Sequence, residues 1–292
     1  MTLPRILVTG ANGQVGNEFR AIATQHPQFE FLFTTRAELA VANRPSVEAY
    51  FMQMKPAYCI NCAAYTAVDK AETEEEQAFE VNANAVGYLA RASAQTGTKL
   101  IHISTDYVFD GSSEIPYRED NRANPVGVYG LSKLKGEALC LIHNPESVIM
   151  RTAWVYSRHG SNFVKTMMRL MSERKEINVV NDQTGSPTYA ADLARAIMQV
   201  ILTKEWHPGI YHYANAGSTT WFGFATAIKE LLQSRCEIKP VTTAEYPTKA
   251  KRPAFSLLDT NRIRKTFGIT IPEWQESLKR CVTIIQTGNK QL

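Results

Sequence analysis

The sequence lacks the features that would place it in several specialised classes of protein. It has no basic run, and 32 Lys and Arg residues against 28 Asp and Glu residues leave a formal net charge of only +4, so no nucleic-acid partner is expected. No apolar stretch approaches membrane-spanning length, and the first strand-like run starts directly after Arg5, unlike a signal peptide. These absences predict a cytoplasmic protein that binds neither nucleic acid nor membrane.

Cysteine is also scarce. The five cysteines, at positions 59, 62, 140, 236 and 281, are scattered and odd in number, which argues against a disulfide framework. Cys59 and Cys62 have the spacing of half a zinc site, but no second pair follows. Both fall in a predicted strand, where residues three apart face opposite sides. We therefore expect small buried residues and no metal site.

A glycine-rich turn near the N-terminus is the first positive signal. The apolar run Ile6–Thr9 is followed by Gly10, Gly13 and Gly16 at a spacing of three, and then by an amphipathic segment. Such a turn lets backbone N–H groups and the positive end of a helix approach a phosphate. The spacing is the stretched G-x-x-G-x-x-G form, and an ordinary strand-to-helix turn is the alternative.

Strand and helix patterns alternate through the first half of the chain. Predicted strands are Ile6–Thr9, Phe29–Thr34, Tyr58–Asn61, Lys99–Ser104 and Val148–Thr152, and predicted helices are Gln14–Gln25, Pro45–Met54, Glu74–Gln95 and Val126–His143. Such alternation requires crossover connections and a parallel sheet covered on both faces. The sequence therefore predicts an α/β fold with a doubly wound, Rossmann-type parallel sheet.

After Thr152 the alternation becomes less regular, which predicts a smaller mixed α/β lobe for substrate. Predicted helices are Asn162–Arg174, Tyr189–Leu202, Trp221–Gln233 and Trp274–Ile285, with short strands at Ile177–Val180 and Gly209–His212. We expect a dinucleotide-binding domain over residues 1–153 and the lobe over residues 154–292, with residues 176–203 returning to the first domain. The polar residues 288–292 are expected to fray.

A tyrosine and a lysine supply a candidate for proton transfer. Of twelve tyrosines only Tyr129 has a lysine four residues later, Lys133, and on a helix this spacing puts both on one face. An ammonium near a phenol lowers the phenol's pKa, so that Tyr129 could protonate a forming alkoxide. At the end of the fourth strand, a hydroxyl of Ser104 or Thr105 could bond the carbonyl, whereas Asp106 suits a turn as well as a ligand contact.

Several motifs together resemble the extended short-chain dehydrogenase/reductases, and more closely the dTDP-4-dehydrorhamnose reductases. The glycine turn and Tyr129-x-x-x-Lys133 are general to the superfamily. The more specific stretches are Asn61–Glu72, Val81–Ala83, Ser104–Gly111, Arg151–Tyr156, Asn162–Met167, Asn181–Thr188 and Arg252–Pro253. The resemblance covers nearly the whole chain. It implies reduction of the C4 ketone of a dTDP-4-keto-6-deoxy sugar by a nicotinamide cofactor.

The resemblance also implies a role for each matching residue. It makes Tyr129 the proton donor, Lys133 its partner at the nicotinamide ribose, and Thr105 the hydroxyl that polarises the ketone. The implied cofactor contacts are Gly10, Asn12, Gly13, Gln14, Val15, Ala63, Ala64, Tyr65, Ser104, Tyr129 and Lys133. The implied substrate contacts are Val68, Thr105, Asp106, Tyr107, Trp154, Asn162 and Arg252. A core aromatic is the alternative for Trp154, and loop capping is the alternative for Asn162.

The end of the second strand bears on the choice of cofactor. Enzymes that select NAD usually carry an acid there, which bonds the ribose 2′-hydroxyl. Here the residues are Phe33-Thr34-Thr35-Arg36, and the acid Glu30 begins the strand instead. A guanidinium and hydroxyls suit a 2′-phosphate. We therefore predict NADPH as cofactor, with NADH possible.

Two alternatives remain open at this stage. The chain could be another nucleotide-sugar epimerase, dehydratase or reductase of the superfamily, or a reductase-like regulatory subunit without turnover. Some members of the family form dimers linked by magnesium through glutamates. Glu18 fits one such position, but Ala191 occupies another, so a monomer or a homodimer without metal is expected.

Overall fold

A six-stranded, all-parallel sheet forms the centre of the protein. The computed structural model describes residues 3–288. Its strands are β1 (Arg5–Thr9), β2 (Glu30–Thr34), β3 (Tyr58–Asn61), β4 (Lys99–Thr105), β5 (Val148–Thr152) and β10 (Gly209–His212). Their order across the sheet is β10-β5-β4-β3-β1-β2. The chain thus runs outward from β1 in both directions, as in a doubly wound sheet.

Helices cover both faces of this sheet. In the N-terminal half they are α1 (Gln14–Ile22), α2 (Arg44–Met54), α3 (Val68–Ala71), α4 (Glu75–Phe79), α5 (Ala85–Thr96) and α6 (Val128–His143). In the C-terminal half they are α7 (Phe163–Glu173), α8 (Ala190–Leu202), α9 (Trp221–Leu232), α10 (Asn261–Phe267) and α11 (Trp274–Gly288). A π-helical segment, Glu80–Asn84, joins α4 to α5, and 3-10 turns lie at Ala23–Gln25 and Asp106–Val108.

The side chains of β1 show how the two faces are packed. Ile6 and Val8 point into a core that includes Leu193 and Ile197 of α8, whereas Leu7 points into a core with Phe51 of α2. These three side chains of β1 are fully buried. A strand buried on both faces has a continuous apolar sequence, which is why this run can be recognised from the residues alone.

A second core lies under the C-terminal lobe. It joins α7, α9 and α11 to the short parallel pair β7 (Glu176–Val180) and β12 (Glu237–Val241). The remaining short strands are β6 (Val155–Tyr156), β8 (Thr184–Gly185), β9 (Thr188–Tyr189) and β11 (Thr219–Thr220), which form two further two-stranded pairs. This lobe approaches the carboxyl edge of the main sheet where the chain leaves β5.

The predicted fold class is confirmed, and every predicted strand is present with small shifts at its ends. The predicted helices are also present, but Glu74–Gln95 is divided into α4, the π-helical segment and α5. Helices α3 and α10 and most of the short lobe strands were not predicted. β10 lies in the main sheet and α8 packs on α1, while β7 pairs with β12 away from that sheet. The domain boundary near residue 153 remains a prediction. β10 lies beyond that boundary in sequence but belongs to the main sheet, which the sequence did not indicate.

The structure can also be compared with the expectations for the cysteines and for the C-terminal residues. Cys59 is fully buried and Cys62 is half-buried, and neither forms a disulfide. Gly288 ends α11, whereas residues 289–292, expected to fray, lie outside the described residues. Within residues 3–288, no helix combines the length and apolarity needed to cross a membrane.

Candidate active site

A cleft of about 530 Å³ opens at the carboxyl ends of β1, β3, β4 and β5. This edge of a doubly wound sheet is where parallel strands present their following loops to a ligand. The predicted residues that line the cleft are Gly13, Gln14, Val15, Ala64, Val68, Ser104, Thr105, Asp106, Tyr107, Tyr129, Lys133, Trp154 and Asn162. The fold therefore brings the glycine turn, the Tyr–Lys pair and most expected sugar contacts together.

Glycine is needed at the three positions of the turn for different physical reasons. Gly10 has φ +62°, and a Cβ there would lie 2.7 Å from the backbone nitrogen of Ala63, so β1 and β3 require a glycine at their closest approach. A Cβ on Gly16 would lie 2.6 Å from Ala11. Only Gly13 lines the cleft, as the N-cap of α1.

The first turn of α1 fits an anionic ligand. Gly13 supplies no side-chain cap, and the first turn carries no acidic residue. The N–H groups that an α-helix leaves open at its start, with the positive end of its dipole, are suited to a pyrophosphate. This observation supports binding of the cofactor phosphates at the turn.

The side chain of Gln14 joins this turn to the C-terminal lobe. Its Oε1 accepts a hydrogen bond from Asn162 Nδ2 at 3.0 Å, and its Nε2 donates to the carbonyl of Val155 at 3.4 Å. Asn162 also caps α7, accepting from the N–H of Lys165 at 3.1 Å. Asn162 therefore caps a helix and also lines the cleft, and its contact with substrate remains a prediction.

Two tryptophans form the wall of the cleft on the lobe side. Trp154 stacks on Trp221 with ring centroids 3.6 Å apart and planes at 10°. Trp154 has φ +47°, and a Cβ on Gly185 would lie 2.6 Å from its ring. Trp154 is thus a half-buried residue that lines the cleft, held between Gly185 and Trp221, and it also packs against the apolar cluster around Val108 and Phe109.

Tyr129 occupies the first turn of α6, and residues far away in sequence fix that turn. The carboxylate of Glu72 accepts a hydrogen bond from the N–H of Val128 at 2.9 Å, replacing a cap that Gly127 cannot provide. The Tyr129 ring meets Tyr107 edge-on, with centroids 5.4 Å apart. These contacts aim the phenol into the cleft.

The pKa of Tyr129 is raised, which corrects one expectation from its spacing to Lys133. Burial raises the pKa of the phenol to about 12; a hydrogen bond with Thr105 opposes the rise and the charge of Asp106 adds to it. Lys133 is not among the groups that shift this pKa, and its Nζ donates instead to the carbonyl of Ile103 at 2.6 Å. The i, i+4 spacing places both residues in one cleft without pairing them.

Lys133 itself is almost completely buried, at 2% exposure. Burial lowers the pKa of its ammonium to about 8, while the negative charge of Glu137 one turn later opposes this shift. A lysine with this pKa can change its charge near neutral pH, which an exposed lysine cannot.

The structure separates the two hydroxyls at the end of β4. Ser104 Oγ donates to Glu137 Oε1 at 2.5 Å, and Glu137 also pairs with Arg151 through two bonds of 2.9 and 2.7 Å. Thr105 Oγ1 instead lies beside Tyr129 and donates to Asp106 Oδ1 at 3.0 Å. Thr105 is therefore the hydroxyl beside the phenol, and both its contact with a carbonyl and the cofactor role of Ser104 remain predictions.

Asp106 is a buried carboxyl directly behind Thr105, at 1% exposure. Burial raises the pKa of this group to about 6, against the effect of nearby hydrogen bonds that lower it. The folded chain thus holds this proton more tightly than the unfolded chain. The stability that Asp106 contributes is fully present below about pH 4 and is lost as the pH rises through about 6.

We expect Asp106→Asn to raise the free energy of unfolding at pH 8 by up to about 3 kcal/mol, because the amide removes the cost of a buried charge. At pH 4 the variant and the natural protein should differ little. Urea unfolding of both proteins at the two pH values measures the difference. An equal effect at pH 4 and pH 8 would contradict the raised pKa.

Six of the predicted site residues do not line this cleft: Gly10, Asn12, Arg36, Ala63, Tyr65 and Arg252. Arg252 forks onto Asp69, with Nη1–Oδ1 at 3.1 Å and Nη2–Oδ2 at 2.7 Å. Arg36 is exposed, just beyond the end of β2. The acid Glu38 follows two residues later, and its place at this strand end was missed from the sequence. Its carboxylate accepts a hydrogen bond from the N–H of Thr35 at 2.6 Å. The ligand contacts of these six residues remain predictions.

Several functional candidates were missed from the sequence. Trp221, Gly160 and Ser161 line the cleft, and Glu72 positions α6 without touching it. Trp221 begins a helix, where one aromatic gives no spacing signal, and only its stack on Trp154 reveals its place. The motif that contains Glu72 was noted, but its role depends on a contact 56 residues away.

Glu18, a candidate metal ligand by its position in the sequence, is buried at 2% exposure. It accepts a hydrogen bond from Ser157 Oγ at 2.7 Å. Among residues 3–288, no group of three or more His, Cys, Asp or Glu side chains could hold a metal ion.

Known proteins resemble this chain over almost its full length. The family model described as the RmlD substrate binding domain matches residues 4–287. A dTDP-4-dehydrorhamnose reductase of Sinorhizobium fredii is 42% identical, over 95% of this chain and 96% of the relative. One from Aggregatibacter actinomycetemcomitans is 40% identical, over 95% and 98%.

The fold is matched as closely by solved structures. The crystal structure of dTDP-4-dehydrorhamnose reductase from Bacillus anthracis in complex with NADP superposes with a TM-score of 0.93 at 38% identity, covering 97% of this chain and 99% of that one. The resemblance found in the motifs is confirmed over the whole chain: the protein belongs to the RmlD substrate-binding-domain family, together with dTDP-4-dehydrorhamnose reductases.

Proposed function

We propose that this protein reduces the C4 ketone of dTDP-4-dehydro-6-deoxy-L-mannose to give dTDP-L-rhamnose, with NADPH as reductant. The observation that carries the proposal is the convergence of Thr105, Tyr129 and Lys133 on a cleft that begins at the glycine turn. The relatives that share 40% or more of their residues with this chain across its length, and that bear this enzyme name, support the same reaction.

The cofactor supplies a hydride to the ketone carbon when it is bound, and the protein manages the charge on the ketone oxygen. Tyr129 donates its phenolic proton to the oxygen as negative charge develops there. Thr105 would hydrogen-bond the same oxygen by turning its hydroxyl proton from Asp106 Oδ1 to the ketone, since the hydroxyl lies beside the phenol. We expect Lys133, which is buried in the same cleft, to bind ribose hydroxyls of the cofactor and, when it is charged, to stabilise the phenolate that remains.

The walls of the cleft suit a deoxy sugar. Trp154 and Val68 offer apolar surface of the kind that a 6-methyl group and a sugar face prefer, and Tyr107 adds an aromatic edge. Arg252 is 22% exposed and is held by Asp69 in a planar fork. Exchanging part of that pairing for a diphosphate oxygen would retain charge-assisted hydrogen bonds, which supports its expected role.

The decisive experiment measures NADPH oxidation with dTDP-4-dehydro-6-deoxy-L-mannose and identifies the product. We expect turnover and dTDP-L-rhamnose. A regulatory subunit would bind the nucleotide sugar without turnover, and an epimerase or dehydratase would change the sugar without net consumption of NADPH. The same keto sugar on UDP or GDP tests whether the base matters.

Arg36→Ala tests the cofactor preference. Because an exposed guanidinium just beyond β2 suits a 2′-phosphate, we expect the KM for NADPH to rise several-fold while that for NADH changes little. Arg20→Ala is the matched control, since Arg20 lies over the ring of Phe33 at 4.5 Å in the same region. If both cofactors were affected equally by Arg36→Ala, this residue would not be the contact to the 2′-phosphate.

A further inference from the structure

A chain of buried polar groups runs beneath the cleft, across three strands, to Lys133. Thr9 Oγ1 on β1 donates to Asn61 Oδ1 on β3 at 2.7 Å, and Asn61 Nδ2 lies 3.0 Å from His102 Nδ1 on β4. His102 Nε2 then lies 3.5 Å from Lys133 Nζ. None of the four residues is more than 2% exposed, so water does not compete for these groups.

A backbone group fixes the direction of this chain. The N–H of Ala63, which can only donate, lies 3.2 Å from Asn61 Oδ1. The atom it meets must therefore be the amide oxygen, and the amide nitrogen of Asn61 must face His102. An amide nitrogen can only donate, so His102 Nδ1 must accept and carries no proton.

The tautomer of His102 follows from that direction. A neutral imidazole with an accepting Nδ1 carries its proton on Nε2, the atom that faces Lys133. Lys133 already donates one N–H to the carbonyl of Ile103. An uncharged amine still has a lone pair that could accept from His102, whereas an ammonium would place N–H against N–H.

We propose that His102, held in its Nε2–H tautomer by Asn61, is a positioning residue that favours the uncharged amine of Lys133. The proposal rests on the proposed function only where it concerns rate. Lys133 then binds its proton less tightly than an exposed lysine does, so it loses its charge at a lower pH. An ordinary buried lysine pairs with a carboxylate, and this one faces an imidazole donor instead.

The other groups around Lys133 agree with this assignment. Glu137 and Cys140 lie on its own helix and Cys62 follows β3, and each favours the charged form of the lysine. Even with Glu137 nearby, the pKa of Lys133 stays at about 8. Arg151 offsets part of that carboxylate's effect through its two hydrogen bonds to Glu137.

The first test reads the tautomer and the lysine charge without any turnover. In protein labelled with 15N-histidine, we expect one histidine to show only the Nε2–H form from pH 6 to 9, with its signal lost in His102→Gln. In protein labelled with 13C-lysine, the Cε shift of Lys133, identified by its loss in Lys133→Met, reports the midpoint of its titration. An Nδ1–H tautomer for His102 would overturn the proposal.

The isosteric variant Asn61→Asp reverses the chain. A carboxylate can only accept, so His102 should donate from Nδ1 and present an accepting Nε2 to the Lys133 ammonium. We expect the titration midpoint of Lys133 to rise by about one pH unit, a tenfold change in proton affinity. His102→Gln, which adds no charge but lets an amide oxygen meet the ammonium, should move it the same way.

A matched control comes from His212, another fully buried histidine, whose Nδ1 lies 3.1 Å from the carbonyl of Tyr117. His212→Gln should leave the midpoint of Lys133 unchanged. A rise in Asn61→Asp but not in His102→Gln would assign the effect to the added charge and overturn the proposal.

The rate separates this proposal from the proposed function. If NADPH oxidation occurs, its alkaline limb should move with the Lys133 midpoint in both variants, and a limb that stays fixed would contradict control through Lys133. If no oxidation occurs in the natural protein, the proposed function fails, while the NMR midpoints still decide the role of His102.

Discussion

Tyr129→Phe should lower kcat for NADPH-dependent reduction by about 10²–10⁴-fold while the affinity for NADPH stays close to that of the natural protein. The phenyl ring preserves the edge-on contact with Tyr107, at 5.4 Å between centroids, so the cleft should keep its shape. What is lost is the proton that the ketone oxygen needs as negative charge develops on it. Steady-state rates and fluorescence titration with NADPH measure the two effects separately.

Tyr50→Phe is the matched control for this experiment, because Tyr50 is also half-buried but belongs to α2 and does not line the cleft. It should leave kcat unchanged. If Tyr129→Phe kept a near-natural kcat, another group would be the proton donor, and the assignment of Tyr129 would be wrong.

The shifted pKa values of Tyr129 and Lys133 predict which of the two residues limits the reaction at alkaline pH. With a pKa raised to about 12, the phenol of Tyr129 keeps its proton throughout the neutral range, so it does not limit reduction below about pH 10. Lys133, with a pKa lowered to about 8, loses its charge well before that. The alkaline loss of activity should therefore follow the lysine, as the buried chain through His102 also requires.

Local sequence patterns predicted most of the fold because the elements depend on near neighbours. The apolar run of β1 and the glycines after it carry their own explanation, since each residue is buried or is in close contact through its backbone. The strand β10 was predicted, but its place in the main sheet was not, because that place depends on a distant strand. Gly209–His212 pairs with Val148–Arg151, about sixty residues earlier, and its sequence does not record which strand it joins.

In the site, too, local contacts were predicted from the sequence and distant contacts were not. Spacing alone placed Tyr129 and Lys133 on one face of α6, but it suggested that the lysine acts directly on the phenol. In the structure, Lys133 Nζ contacts the carbonyl of Ile103 and the imidazole of His102. The carboxylate of Glu72 accepts a hydrogen bond at the start of the helix. These partners lie 30 or more residues away in sequence, so only the fold brings them together.

Arg252 illustrates a further limit of residue type as a guide. Its guanidinium suits a diphosphate, but Asp69 already occupies the fork. Asp69 lies in α3, a helix of four residues that no periodicity could indicate. A side chain that is chemically suited to a ligand can thus have a protein partner, and the competition between the two is visible only in three dimensions.

Glu137→Gln should lower the free energy of unfolding by about 3–5 kcal/mol, because it removes one partner of a buried ion pair and leaves the other charged. Glu137 and Arg151 are 2% and 3% exposed and share two hydrogen bonds, and Ser104 donates a third to the same carboxylate. Arg151 Nη1 has no hydrogen-bond partner among residues 3–288. Its guanidinium lies 5.2 Å from the ring centroid of Phe109, an environment that does not replace a lost carboxylate.

The double variant Glu137→Leu with Arg151→Met separates the value of the pair from the cost of breaking it. Two apolar side chains of similar length should recover much of the stability, since no unpaired charge remains buried. Arg169→Met, which breaks an exposed pair with Glu173, is the matched control and should change stability by less than about 1 kcal/mol. Urea unfolding of all four proteins at pH 7 measures these differences. If Glu137→Gln were no more costly than Arg169→Met, the pair beneath the cleft would be weaker than its burial implies.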